Sequence, residues 1–102
     1  MKARLDGVSV RLGSEGRSLY DQSGYGRPEG SGLRLSPEEA CYLLSRKRIE
    51  IPGYDFDQLS AYFAKNPEFL RTFLVYRDLR ERGYAVQTGP QDFRVFRRGH
   101  KP

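Results

Sequence analysis

Helix punctuation between residues 36 and 83 constrains this 102-residue chain more than any other feature of its sequence. In Ser36-Pro37-Glu38-Glu39, Ser36 caps, Pro37 takes the first helical position where its missing N–H costs nothing, and Glu39 completes a capping box. The helix so opened is expected to reach about Lys47, with Ala40, Cys41, Leu43 and Leu44 inward. Arg46, Lys47 and Arg48 then sit at its C-terminal end, where the macrodipole favours cations. Ile49 to Ile51 reads as a short strand, stopped by Pro52 and Gly53. A second helix begins near Asp55 or Asp57 and places Phe56, Leu59, Tyr62 and Phe63 on one stripe. Asn66-Pro67-Glu68 turns the chain and opens a third helix to Arg82, with Gly83 as its left-handed cap. That helix offers Phe69, Leu70, Phe73, Leu74, Tyr76 and Leu79 for burial. The core is expected to be thin, because a chain of this size buries only around two-thirds of its unfolded surface.

Strand signals flank this helical centre. Val8, Val10 and Leu12 alternate with Ser9 and Arg11, and Gly13-Ser14 marks the turn that follows. A further strand is expected over Arg17 to Tyr20. Residues 23–32 carry glycine at 24, 26, 30 and 32 and read as a flexible hairpin or connector. A phosphate-cradling loop would lead into a helix N-terminus, whereas the short apolar segment Leu33 to Leu35 comes next. Tyr84 to Thr88 and Asp92 to Arg98 form two strands around a Gly89-Pro90-Gln91 turn, with Phe93 and Val95 on one face and Arg94, Phe96 and Arg98 on the other. A lone hairpin is marginal, and its free edges suit pairing with another polypeptide. The fold class expected is α+β: a small mixed N-terminal lobe of strands plus two helices, then a helix and a β-hairpin.

Composition removes several functions. Cys41 is the single cysteine and His100 the single histidine, so there is neither an internal disulfide nor a ligand set for a structural zinc. Cys41, in an apolar helical stretch, reads as a small core residue, and His100 as a solvated tail residue without an orienting partner. No apolar run approaches the roughly 20 residues that span a bilayer, and Lys2, Arg4 and Asp6 break any signal-peptide pattern. The expectation is an intracellular, cytoplasmic protein. Its net charge of +5 is localised: residues 1–70 hold ten basic and ten acidic residues, so the whole excess falls in residues 71–102. Arginine there can contact phosphate. It can equally pair within a helix, since Asp78 meets Arg82 and Arg77 meets Glu81 at i,i+4.

Val75-Tyr76-Arg77-Asp78-Leu79-Arg80-Glu81-Arg82-Gly83-Tyr84, followed by Ala85-Val86-Gln87-Thr88-Gly89, resembles the helix-to-strand junction that opens the catalytic domain of archaeal tRNA-splicing endonucleases. Gly24-Tyr25-Gly26, the Ser36-Pro37-Glu38-Glu39-Ala40 helix start and Tyr42-Leu43-Leu44 are similar to that family's small N-terminal domain. The resemblance implies a boundary near residue 65. Residues 1–65 would be the N-terminal α+β domain, and 66–102 an incomplete start of a nuclease-like α/β C-terminal domain. It also implies assembly into a tetramer or a pseudo-tetramer, precursor tRNA as substrate and metal-free, cofactor-free cleavage to a 2′,3′-cyclic phosphate.

In the family a tyrosine serves as base, a histidine as acid and a lysine as electrostatic support. The strand that ends Phe-Arg-Val-Tyr in the family reads Phe93-Arg94-Val95-Phe96 here, and a phenyl ring has no proton to exchange. His100 follows too soon for the family histidine, and Lys101 lies in the tail. No catalytic residue is therefore expected in this chain. The resemblance instead implies a structural subunit or degenerate repeat that organises a catalytic subunit, in a heterotetramer, and holds RNA through Arg94, Arg97 and Arg98. The alternatives are a truncated catalytic subunit and a stand-alone basic RNA-binding module.

Overall fold

The computed structural model describes residues 1–88 and 93–96, and its mixture of strands and helices is the expected α+β class. Strands β1 (Ala3–Asp6), β2 (Ser9–Leu12), β3 (Arg27–Glu29) and β4 (Gly32–Leu35) form an antiparallel sheet in the order β1-β2-β4-β3. Its inner face is apolar: Ala3, Val10, Leu12, Leu33 and Leu35 are buried at alternate positions, as a half-buried strand requires. The β1–β2 turn is the two-residue loop Gly7-Val8, closed by the Asp6↔Ser9 pair, and Gly7 sits at φ 63°. Glycine suits the first position of such a loop because it enters the left-handed region without a Cβ penalty.

Two helices cover that face, α1 (Arg17–Ser23) and α2 (Pro37–Ser45), while α3 (Phe56–Phe63) and α4 (Phe69–Glu81) pack chiefly on α2. Strands β5 (Ala85–Thr88) and β6 (Phe93–Phe96) make a separate antiparallel hairpin. One continuous core runs from Ala3 and Val10 through Leu43, Ile49 and Leu59 to Phe73, Tyr76 and Val86. Among the described residues no helix is long and apolar enough to cross a membrane.

The starts of α2 and α3 fall where the punctuation put them, and α4 starts at Phe69 with Glu68, not Asn66, as its N-cap. Ser36 Oγ accepts the Glu39 N–H and Glu39 Oε1 accepts the Ser36 N–H, while Asp55 and Gln58 form a second reciprocal capping box. Asn66 accepts the Glu68 N–H at 3.0 Å and turns the chain into α4. At the far end Gly83, at φ 93°, donates to Arg80 O and Tyr84 donates to Leu79 O, closing α4 with a Schellman cap.

Four expectations change. Arg17 to Tyr20 is the start of helix α1, closed by Gly24 at φ 71°, so the lobe holds three helices instead of two. Four residues are too few to separate a period of 2 from one of 3.6, and the capping glycine was the better signal. Strand β1 was not foreseen, although Ala3 and Leu5 alternate with Arg4 and Asp6, because two apolar residues over four positions are a weak signal. Ile49 to Ile51 makes only isolated bridges, Lys2↔Glu50 and Ile51↔Tyr54. Leu70 and Leu74 point outward at 57% and 51% exposure, because the buried stripe of α4 follows Phe69, Phe73 and Tyr76.

Helix α2 ends in a second Schellman cap whose left-handed position is Lys47, at φ 59°. A left-handed L-residue costs about 1–2 kcal/mol, and a glycine loses about 0.5–1 kcal/mol of that advantage through chain entropy. Lys47→Gly is expected to raise unfolding free energy by about 0.5–1 kcal/mol in urea denaturation.

Candidate functional site

The segment Val75 to Tyr84 comprises the second half of α4, its glycine cap and the entry to β5. Its helical period sends Tyr76 and Arg80, four residues apart, to the same side, against the glycine-rich segment that follows α1. Tyr76 is fully buried and its hydroxyl accepts from Arg80 Nε at 3.0 Å. The same guanidinium donates to Ser23 O at 2.7 Å and Gly24 O at 3.3 Å, and reaches toward Val86 O at 3.5 Å. Its carbon lies 3.7 Å from the centroid of the Tyr25 ring, within cation–π range. One planar cation thereby ties α4, the end of α1 and β5 together.

Glu39 is the second anchor. It is 2% exposed, and each carboxylate oxygen accepts a backbone N–H: Oε1 from Ser36 at 2.9 Å and Oε2 from Gly26 at 2.7 Å. Gly26 has φ 73°, and a Cβ there would lie 2.8 Å from Arg34 O, so only glycine brings its N–H to this carboxylate. Burial raises the Glu39 pKa above 4.5, opposed by the hydrogen bonds from Ser36 and Gly26 and by the charge of Arg80. Burial likewise raises Tyr25, and raises Tyr76 well above 10.0. Both remain neutral phenols, unsuited to take a proton from a substrate hydroxyl. Cys41 is buried, with its thiol pushed up to about 12 by burial and then by Glu38, so it is the inert core residue expected. Among the described residues no group of three His, Cys, Asp or Glu side chains could hold a metal ion.

The basic residues of α4 are largely occupied. Arg82 pairs with Asp78 at 3.1 Å, Arg77 approaches Glu81 at 4.0 Å and Arg71 pairs with Glu68. The i,i+4 pairs foreseen for Asp78 and Arg77 are therefore present. Of the residues singled out from sequence, Phe96 and Arg94 lie on β6, paired in register with Ala85 and Gln87. Arg97, Arg98, His100, Lys101 and the Gly89-Pro90-Gln91 turn lie outside the described residues. Sequence reasoning missed the roles of Tyr25, Gly26 and Arg80. Their only signals were the glycine spacing at 24 and 26 and the four-residue interval from Tyr76 to Arg80.

Comparison with known proteins matches residues 1–63 to the tRNA intron endonuclease N-terminal domain and residues 69–102 to the tRNA intron endonuclease catalytic C-terminal domain. A tRNA-splicing endonuclease of Natronomonas pharaonis is 43% identical over 100% of this chain and 33% of its own length. One from Methanosarcina barkeri is 42% identical over 100% of this chain and 31% of its own length. A third, from Methanothermobacter thermautotrophicus, is 35% identical over 93% of this chain and 59% of its own length. The chain thus spans about a third of the first two relatives and over half of the third.

Arg80→Lys is expected to lower unfolding free energy by about 2–3 kcal/mol, since a point charge cannot satisfy carbonyls spread around a fork. Thermal or urea unfolding checks this. Glu39 makes a pH prediction of definite sign. Its raised native pKa favours the fold at low pH, and this contribution is lost as pH climbs from 4.5 through the raised value. Glu39→Gln should flatten that stretch of the unfolding-temperature profile.

Proposed function

Because the chain belongs to the tRNA-intron endonuclease family, we propose that it serves as a structural, non-catalytic unit of a tRNA-splicing endonuclease that removes introns from precursor tRNA. Residues 1–65 form its N-terminal domain and 66–102 the opening of its C-terminal domain. It assembles with a catalytic subunit in a cytoplasmic heterotetramer and contributes RNA contacts through Arg94, Arg97 and Arg98.

The observation that carries this reading is Phe96. The resemblance aligns it with the family tyrosine, at the end of β6 opposite Ala85, and its ring offers no hydroxyl to deprotonate the attacking 2′-OH. Of the tyrosines near the family motif, Tyr76 and Tyr25 do not substitute for it, because both are buried away from any substrate. Support for an assembly role comes from α4, whose outer side leaves Leu70, Leu74 and Val75 about half exposed. Apolar side chains exposed in such a group are a common feature of interaction surfaces.

With precursor tRNA, the chain alone is expected to produce no cleavage, and adding it to a catalytic subunit of the family should raise that subunit's rate about tenfold or more. Cleavage by this chain alone, or full activity of the catalytic subunit without it, would contradict the reading.

A further inference from the structure

Residues 1–70 carry equal numbers of acidic and basic residues, yet the sheet sorts them unevenly. The register Arg4↔Arg11, Arg11↔Arg34 and Arg34↔Arg27 places one arginine from each of the four strands in a single row. The row lies on the solvent face, since the intervening Ala3, Val10, Leu12, Leu33 and Leu35 turn into the core. Three inter-strand steps of about 4.8 Å give it a length on the order of 14 Å. Like charges directly opposite one another destabilise an antiparallel sheet. Three such pairs in succession carry a cost that nearby carboxylates offset only in part.

Two carboxylates moderate the row without neutralising it. Asp6 Oδ2 lies 2.7 Å from Arg11 Nε, and Glu29 pairs with Arg11 and, at 3.6 Å, with Arg34. The face therefore presents Lys2, Arg4, Arg11, Arg27 and Arg34 against Asp6, Glu29 and Glu50, which is paired beside Lys2, and it keeps a basic excess. At one end it sinks into a groove of about 480 Å³ lined by Lys2, Arg4, Arg11, Glu29 and Gly32. Gly32 leaves that floor as bare backbone, and a Cβ there would lie 2.3 Å from Leu12 O.

We propose that this outer sheet face binds the phosphodiester backbone of RNA. Successive phosphates of one strand lie farther apart than the roughly 3.4 Å of axis each occupies, so a row of about 14 Å meets about two or three of them, and arginine meets phosphate with a fork of donors. A docking protein would need an apolar centre to bury, as protein interfaces have. The outward side chains of this face are instead almost all charged, the composition of a nucleic-acid interface. Such a face holds RNA whether or not the chain cuts it, so it stands independently of Phe96 and of the hairpin arginines.

Fluorescence polarisation of labelled precursor tRNA, titrated with the full chain at several salt concentrations, tests this. Arg4→Gln combined with Arg34→Gln should weaken binding about tenfold or more. It should also reduce the slope of log affinity against log salt by roughly 1.4 to 1.8, at about 0.7 to 0.9 per lost phosphate contact. The unfolding temperature should hold or rise, because the like-charge row is relieved. Arg4→Lys with Arg34→Lys should keep the slope. Glu29→Gln alone, which removes the carboxylate facing Arg11 and Arg34, should tighten binding severalfold, and this arm does not depend on the folding of the double variant. An unchanged slope in the Gln pair, or no tightening in Glu29→Gln, overturns the proposal. So does unchanged RNA affinity accompanied by weaker association with a catalytic subunit, which would identify a protein-docking face.

Discussion

The Arg80 guanidinium holds the molecule's two halves in one arrangement. A planar cation with several donors accepts one geometry: Tyr76 Oη along its own helix, Ser23 and Gly24 carbonyls from the end of α1, and the Tyr25 ring beneath. Lysine would deliver the charge without the fork. Close behind it, Glu39 spans Ser36 and Gly26, so the carboxylate that starts α2 also fixes the backbone beside Tyr25. The two anchors act on consecutive residues of one loop. The positive φ of Gly24 and Gly26 is what lets that loop bend tightly enough to reach both.

The segment that resembles the family's helix-to-strand junction is consequently built for packing. Within Val75 to Tyr84 the side chains with clear roles are structural: Tyr76 fills the core, Arg80 clamps the loop, Asp78 and Arg82 pair across a helical turn, and Gly83 closes the helix. The residues of such a motif answer to packing and hydrogen bonding, so the motif itself does not depend on a catalytic tyrosine. This separation is why membership of an endonuclease family and a scaffolding role are compatible in one sequence.

Local chemistry made much of the fold legible. Capping boxes depend on residues three apart, and Ser36 with Glu39 and the glycine cap at 83 could be read directly. Asp55 was readable as a helix start for the same reason. Segments without such a signature were not. Arg17 to Tyr20 was too short for its period to distinguish strand from helix, and β1 offers only two apolar residues, Ala3 and Leu5, to its alternation. The contacts that position the loop were also hidden, since Arg80 and Ser23 are 57 residues apart and Glu39 meets Gly26 through an oxygen that capping does not use. The arginine row was invisible for a related reason. Net charge sums over a segment, whereas only strand register reveals that Arg4, Arg11, Arg34 and Arg27 share one line.

Native-state hydrogen exchange tests most directly whether Arg80 and Glu39 join the chain into one cooperative unit. The Gly26 amide, bonded to Glu39, and the Tyr84 amide, bonded to Leu79 O, lie on opposite sides of the clamp. The account predicts that both exchange only through global unfolding, with equal opening free energies that fall together in Arg80→Lys. If Tyr84 exchanges through a separate, lower-energy opening while Gly26 stays protected, α4 and β5 detach independently, and the clamp does not hold the two halves together.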